Sequence, residues 1–164
     1  MIYEELFKKL FDKKVQYVLC GGLAVNIYGI PRMTADIDVL LDFDVNNLQN
    51  FKNALHELNY SALLPVPIEH LSEKATRLKY ITEKNLIAYS FFPAAGAHMS
   101  IDVLIDCPVH FDELWTQKTA RKVDDYEIYL ASVDHLIEMK QYSDRMQDQQ
   151  DIILLSKIKE HDGK

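Results

Sequence analysis

A chain of 164 residues with 48% apolar side chains is long enough to bury one real hydrophobic core, so a single domain over residues 1–164 is expected. A net charge of -7 argues against a domain whose main task is to grip nucleic acid through a broad basic face. The two cysteines make no disulfide framework, the six histidines show no zinc-ligand spacing, and both Cys20 and Cys107 read as core residues. No stretch approaches the roughly 18 apolar residues of a membrane span, and the amphipathic start MIYEELFKKLFDKK has no signal-peptide apolar run. A cytoplasmic protein with no membrane partner is therefore expected.

In chain order, Ile2, Leu6 and Leu10 with Phe7 and Phe11 recur at three- and four-residue intervals, which predicts a helix with one core-facing side. The apolar run Tyr17 to Cys20 predicts a strand, Gly21 and Gly22 a tight turn, and Leu23 to Tyr28 a helix that Gly29 and Pro31 end. Glycine at the turn permits close backbone approach, and the helix N-terminus behind it offers unpaired N–H groups to a phosphate. Arg32 and Thr34 occupy the following loop, where a guanidinium and a hydroxyl reach phosphates or fix carboxylates. The next strand carries Asp36 and Asp38 on one face and Ile37, Val39 and Leu41 on the other. Two strand residues span roughly 6.5 to 7 Å, enough to straddle a pair of divalent ions.

Asp42 and Asp44 read as caps for a helix over Asn46 to Leu58, whose Leu48, Phe51, Leu55 and Leu58 share a side. Asn59 to Thr76, with Pro65 and Pro67, reads as a loop; Arg77–Ile81 and Leu86–Phe92 read as strands joined by a turn at Thr82 to Asn85. After a break over Pro93 to Ala97, Met99 to Asp106 is again an alternating strand, with Asp102 between Ile101 and Val103. If this strand lies beside that of Asp36, opposed side chains approach to about 5 Å, and a three-carboxylate cluster selects a hard cation such as Mg²⁺ or Mn²⁺. Phe111 to Trp115 reads as a short helix with Trp115 packing inward, and Thr119–Val123 and Tyr126–Leu130 as two strands about an Asp124-Asp125 turn. Ser132 is the expected N-cap of a helix reaching Tyr142, and a second helix follows Asp144 to about Lys159, burying Ile152, Leu155 and Ile158. The lysine and arginine clusters at Lys8 to Lys14, Lys74 to Lys79 and Lys118 to Lys122 read as solvated faces.

The order G-G, thirteen residues, D-I-D, then a later apolar-D-apolar strand resembles the nucleotidyltransferase superfamily of polymerase-beta-like fold. The wording GGLAVNIYGIPRMTADID is most similar to the small bacterial branch that includes the AbiEii-type toxins. Leu130 to Leu155 is similar to that branch's L-I-x-x-K helix and following R-x-K-D-x-x-D, giving Lys140, Arg145, Asp148 and Asp151, with Gln147 where lysine is usual. The resemblance implies an α+β fold, a mixed sheet with helices packed on one face and a C-terminal helical pair, the core spanning about 15–130 and the pair about 132–160. It implies transfer of a nucleoside monophosphate from a nucleoside triphosphate to a hydroxyl of RNA or protein, with pyrophosphate released and two Mg²⁺ ions held. Asp36, Asp38 and Asp102 would be catalytic and metal-binding, and Gly21, Gly22, Arg32, Thr34 and Lys140 nucleotide-binding, with Lys140 on a phosphate. A cognate antitoxin is the implied protein partner. Two other readings share the fold: a lincosamide- or aminoglycoside-type nucleotidyltransferase, and a binding module without catalysis.

Overall fold

The computed structural model describes residues 3–94 and 99–162. Its strands are β1 (Tyr17–Leu19), β2 (Asp36–Leu41), β3 (Tyr60–Ala62), β4 (Ala88–Pro93), β5 (Ser100–Leu104), β6 (Thr119–Val123) and β7 (Tyr126–Leu130). They form one mixed sheet in the order β3-β4-β5-β2-β1-β7-β6. Around it lie α1 (Glu4–Asp12), α2 (Gly21–Ile27), α3 (Val45–Glu57), α4 (Lys74–Lys84), α5 (Phe111–Thr116), α6 (Val133–Ser143) and α7 (Met146–Asp162), with a 3-10 turn at Ile68–Ser72.

Alternation decides which side of the sheet is core. Parallel β2 and β5 set Ile37 against Ile101 and Val39 against Val103, and antiparallel β4 adds Phe91 and Tyr89 to those rows. All six side chains are buried. On this face Phe51 of α3 meets Phe91 edge-on at 5.8 Å, and Phe7 of α1 stacks on Tyr17 at 5.7 Å. Each fully buried ring contributes about 2 to 3 kcal/mol of transfer free energy. The other face carries Asp36, Asp38 and Asp102, so the same period of two that builds the core sorts the acids away from it.

Charge secures the first helix. Lys8 pairs with Asp125 at 3.0 Å and Lys9 with Glu57 at 3.0 Å, while Lys13 reaches the same glutamate, so these lysines tie α1 to α3 and to the β6–β7 turn. Asp44 caps α3 as expected, accepting from the Asn46 and Asn47 N–H groups at 2.9 and 3.4 Å. Asn47 itself is buried, and its side-chain amide donates to the carbonyls of Gln16 and Asp42 and accepts from the Gln16 N–H. That amide stitches the entry to β1 to the exit from β2.

The structure departs from the sequence reading between β3 and β4. Arg77 to Ile81 is not a strand but the middle of α4, which runs on through the expected turn and ends at Asn85 in the left-handed conformation, φ 50°. The alternation of Arg77-Leu78-Lys79-Tyr80 mimics a strand over four residues, yet only Tyr80 is buried, and the lysine, arginine, leucine and glutamate content favours helix. Within the expected loop, Tyr60–Ala62 forms the edge strand β3 on β4. Helix α2 starts at Gly21, two residues before the expected Leu23. Of the break expected over Pro93 to Ala97, Pro93 ends β4 and residues 95–97 lie outside the described residues. Ile2, the first apolar residue of the expected N-terminal helix, also lies outside them.

Replacing Asn47 by alanine leaves two carbonyls and one N–H without their buried partner and should cost roughly 2 to 3 kcal/mol. Urea unfolding of the variant measures this; a change below about 0.5 kcal/mol, the scatter of ordinary surface substitutions, would contradict the role given to the amide.

Candidate active site

Asp38 and Asp102 oppose one another across the parallel β2–β5 pair, and Asp36 stands one pleat away on the same face, opposite Ser100. One carboxylate oxygen from each of the three lies within 4.8 Å of the others, forming the only such acidic, histidine or cysteine cluster among the described residues. Burial pushes the Asp38 carboxyl up to about 6, and the charges of Asp36 and Asp102 add to the shift against the pull of Arg145 and Lys140. A donor set of three carboxylates, one with its carboxyl raised by burial and by the charge of its neighbours, fits a hard divalent cation, which is what relieves such crowding.

The glycines serve this cluster directly. Gly21 adopts φ +61°, and a Cβ there would fall 1.8 Å from the Asp38 Oδ2 atom. A Cβ on Gly22 would fall 2.7 Å from the Thr34 hydroxyl. Both positions therefore let the start of α2 press against the acidic strand and the loop before it, and no larger residue fits. In that loop the Thr34 hydroxyl donates to the Asp36 carbonyl at 3.1 Å and to its carboxylate at 3.4 Å. The Arg32 N–H donates to the Asn26 side chain at 2.9 Å, and its guanidinium pairs with Asp151 of α7.

From α6 and α7 comes a second network. Lys140 is buried, with Nζ 2.6 Å from Asp151 and 3.2 Å from Asp148. Asp148 also accepts from the Ser143 hydroxyl at 2.7 Å and from the Arg145 N–H and Nε at 3.1 Å each. Burial alone would raise the Asp148 carboxyl, but the hydrogen bonds from Ser143 and Arg145 and the Lys140 charge outweigh it and hold the group at about 2. All the residues singled out from the sequence thus surround one cleft of about 710 Å³ or brace its walls, with Asp151 behind Arg32 and Lys140. Sequence reasoning missed Asn26, Ser143 and a hydrogen bond of 2.9 Å from the Tyr142 hydroxyl to Asp106 across the cleft. No motif marks these side chains; only Ser143, one helical turn beyond Lys140, has a positional signal. Cys20 is buried, with its thiol pushed well up by burial, and burial raises Cys107 to about 11, so neither is an activated nucleophile.

The two carboxyls give opposite pH dependences. Asp38, raised in the folded state, favours folding below its ordinary range near 4, and this contribution is lost as pH rises through about 6. Asp148, depressed when folded, contributes above that ordinary range and loses its contribution as pH falls toward about 2. In chelator at pH 8, Asp38→Asn should therefore be more stable than the unsubstituted chain by about 1 to 2 kcal/mol, the gap narrowing as pH falls through about 6 and closing near 4. Urea midpoints across pH test this; equal or lower stability of the variant at pH 8 would contradict the burial and repulsion assigned to Asp38.

Comparison with known proteins agrees with this arrangement. The family model for the nucleotidyl transferase AbiEii toxin of type IV toxin–antitoxin systems matches residues 6–149. The crystal structure of ANT(2")-Ia in complex with adenylyl-2"-tobramycin superposes with a TM-score of 0.56 at 8% sequence identity, covering 96% of this chain and 91% of that one. At that identity the likeness speaks for the fold alone. No curated protein sequence matches the chain. With the family match running from α1 through the Lys140–Asp148 network, the chain belongs to the AbiEii nucleotidyltransferase toxin family.

Proposed function

We propose that this nucleotidyltransferase moves a nucleoside monophosphate from a nucleoside triphosphate to a hydroxyl on RNA or protein and depends on Mg²⁺ or Mn²⁺. The observation that carries the reading is the meeting of Asp36, Asp38 and Asp102 within 4.8 Å in a deep cleft ringed by Arg32, Lys140 and Arg145. Two divalent ions held by the three aspartates would supply charge neutralisation at the oxygens of the transferring phosphoryl group.

The chain's own residues do the rest. Thr34 fixes the Asp36 carboxylate, and Gly21 lets Asp38 pack against the start of α2, so the acids are placed before substrate arrives. Lys140 and Arg145 line the same cleft as the acids and would offer positive charge to a triphosphate, and Gly22 and the Arg32 loop line it as well. Asp102 takes the proton of the acceptor hydroxyl as its oxygen bonds to the α-phosphorus; the bond to the bridging oxygen breaks and pyrophosphate leaves. A cognate antitoxin belongs to this reading through the toxin family. So does a cytoplasmic location, and among the described residues no helix is long and apolar enough to cross a membrane.

Transfer of label from α-³²P nucleoside triphosphates, offered with Mg²⁺ to RNA, protein and tobramycin, tests the reading. Asp36→Asn and Asp102→Asn should each lower transfer by on the order of 10³ or more while circular dichroism is unchanged. Transfer retained in both variants would contradict the assignment, and label appearing on tobramycin alone would move the acceptor to the antibiotic class.

A further inference from the structure

The acid-bearing face of the sheet continues beyond the cleft. Side chains on it can be followed across the strands. Asp38 faces Asp102, and Asp102 faces Ser90 of β4. The Leu63 N–H, just past β3, donates to the Ser90 carbonyl at 3.0 Å. One pleat away, Asp36 faces Ser100; the β4–β5 register sets Phe92 next to Ser100, and Phe92 faces Ser61 of β3. On the opposite face of these strands Tyr89 and Phe91 are buried, but here Phe92 is 45% and Leu63 66% exposed. An aromatic ring, a leucine and three serines, Ser61, Ser90 and Ser100, thus form an open shelf beside Asp102. Among the described side chains of β3–β5 on this face, no lysine or arginine is present.

Strand order gives the shelf its direction. Asp102 stands between the strand of Asp36 and Asp38 and the shelf, so a hydroxyl approaching from β4 meets Asp102 first. The lining of the nucleotide cleft reaches Ala88 of β4 and Leu104 of β5, one pleat from Ser90 and Asp102 on the side away from Phe92, and includes neither Ser90 nor Phe92. Cleft and shelf therefore adjoin along the same sheet face, with Asp102 at their boundary.

We propose that this shelf seats the terminal nucleoside of the acceptor, its base stacked on Phe92, its ribose over Ser90 and its reacting hydroxyl at Asp102; this rests on the transfer reading given above. One strand spacing of about 4.8 Å and two residues of about 3.3 Å each put Phe92 roughly 8 Å from Asp102, the span from a ribose hydroxyl to its base. Exposed aromatics on an open sheet are stacking surfaces for unpaired bases. The lack of a cation on the shelf fits one neutral nucleoside rather than a tract of phosphates or an acidic peptide.

Two measurements test it separately from catalysis. Short RNAs ending in 4-thiouridine, irradiated with the full chain and Mg²⁺, should crosslink to Phe92 or Leu63, and free 4-thiouridine doing so equally would identify a nucleoside rather than a strand end as the source of the ligand. In label transfer, Phe92→Ala should raise the acceptor KM about tenfold or more, with Phe92→Trp restoring it and Mg²⁺–nucleotide binding unchanged within twofold. Crosslinks confined to other surfaces would overturn the proposal, as would transfer that is insensitive to Phe92→Ala or directed to protein or sugar hydroxyls. Loss of nucleotide binding in the unsubstituted chain would instead overturn the transfer reading, leaving the crosslink as an independent test of the shelf.

Discussion

Three carboxylates on two adjacent parallel strands repel one another, and the construction of the cleft answers that repulsion. The sheet register makes the crowding unavoidable, because once β2 and β5 pair with Ile37 against Ile101, Asp38 must face Asp102. The apolar face gains from that register what the acidic face loses, since each core row buries three large side chains. A one-residue slip would send the acids into the core, so register is specified by burial and the cluster inherits it. Fold stability thus sustains a site that would not assemble by its own interactions.

The C-terminal helices meet this charge in a graded way. Lys140, Arg145 and Arg32 carry three positive charges around the cleft, and the buried carboxylates of Asp148 and Asp151 hold all three. Lys140 is shared by both aspartates and each aspartate has more than one partner, so the network positions its cations through several contacts at once. Asp151 has a particular place in it, because it joins Arg32, from the loop before the acidic strand, to Lys140 on α6. Two segments more than 100 residues apart in sequence are thereby fixed relative to the acids.

Where the sequence carries a period or a named turn residue, it predicts the structure closely. The faces of β2 and β5, the Asp44 and Ser132 caps and the Gly29 stop, at φ 96°, all follow from local chemistry. The three acids were legible because alternation exposes them between obligatory core residues. The helix over Lys74–Lys84 was not, since one buried Tyr80 in eleven residues leaves no apolar stripe to detect. Asp148 and Asp151 were visible only by resemblance. They fall on the stripe that Leu155 buries farther along α7, where a spacing rule expects apolar residues, and their partners come from other elements. The shelf of Phe92 and Ser90 was equally hidden, because a strand residue's exposure depends on what the rest of the chain leaves uncovered.

The central claim is that the aspartate cluster and the surrounding cations form a metal–nucleotide site. Thermal unfolding with Mg²⁺ and each nucleoside triphosphate in turn tests it most directly, comparing the unsubstituted chain with Asp36→Asn. A ligand at about 100 times its dissociation constant adds roughly 2.7 kcal/mol, which for a chain of this size raises the midpoint by about 5 to 10 °C. The account predicts such a shift for at least one nucleotide, dependent on Mg²⁺ and absent in Asp36→Asn. No shift with any nucleotide, or an equal shift in the variant, would contradict it.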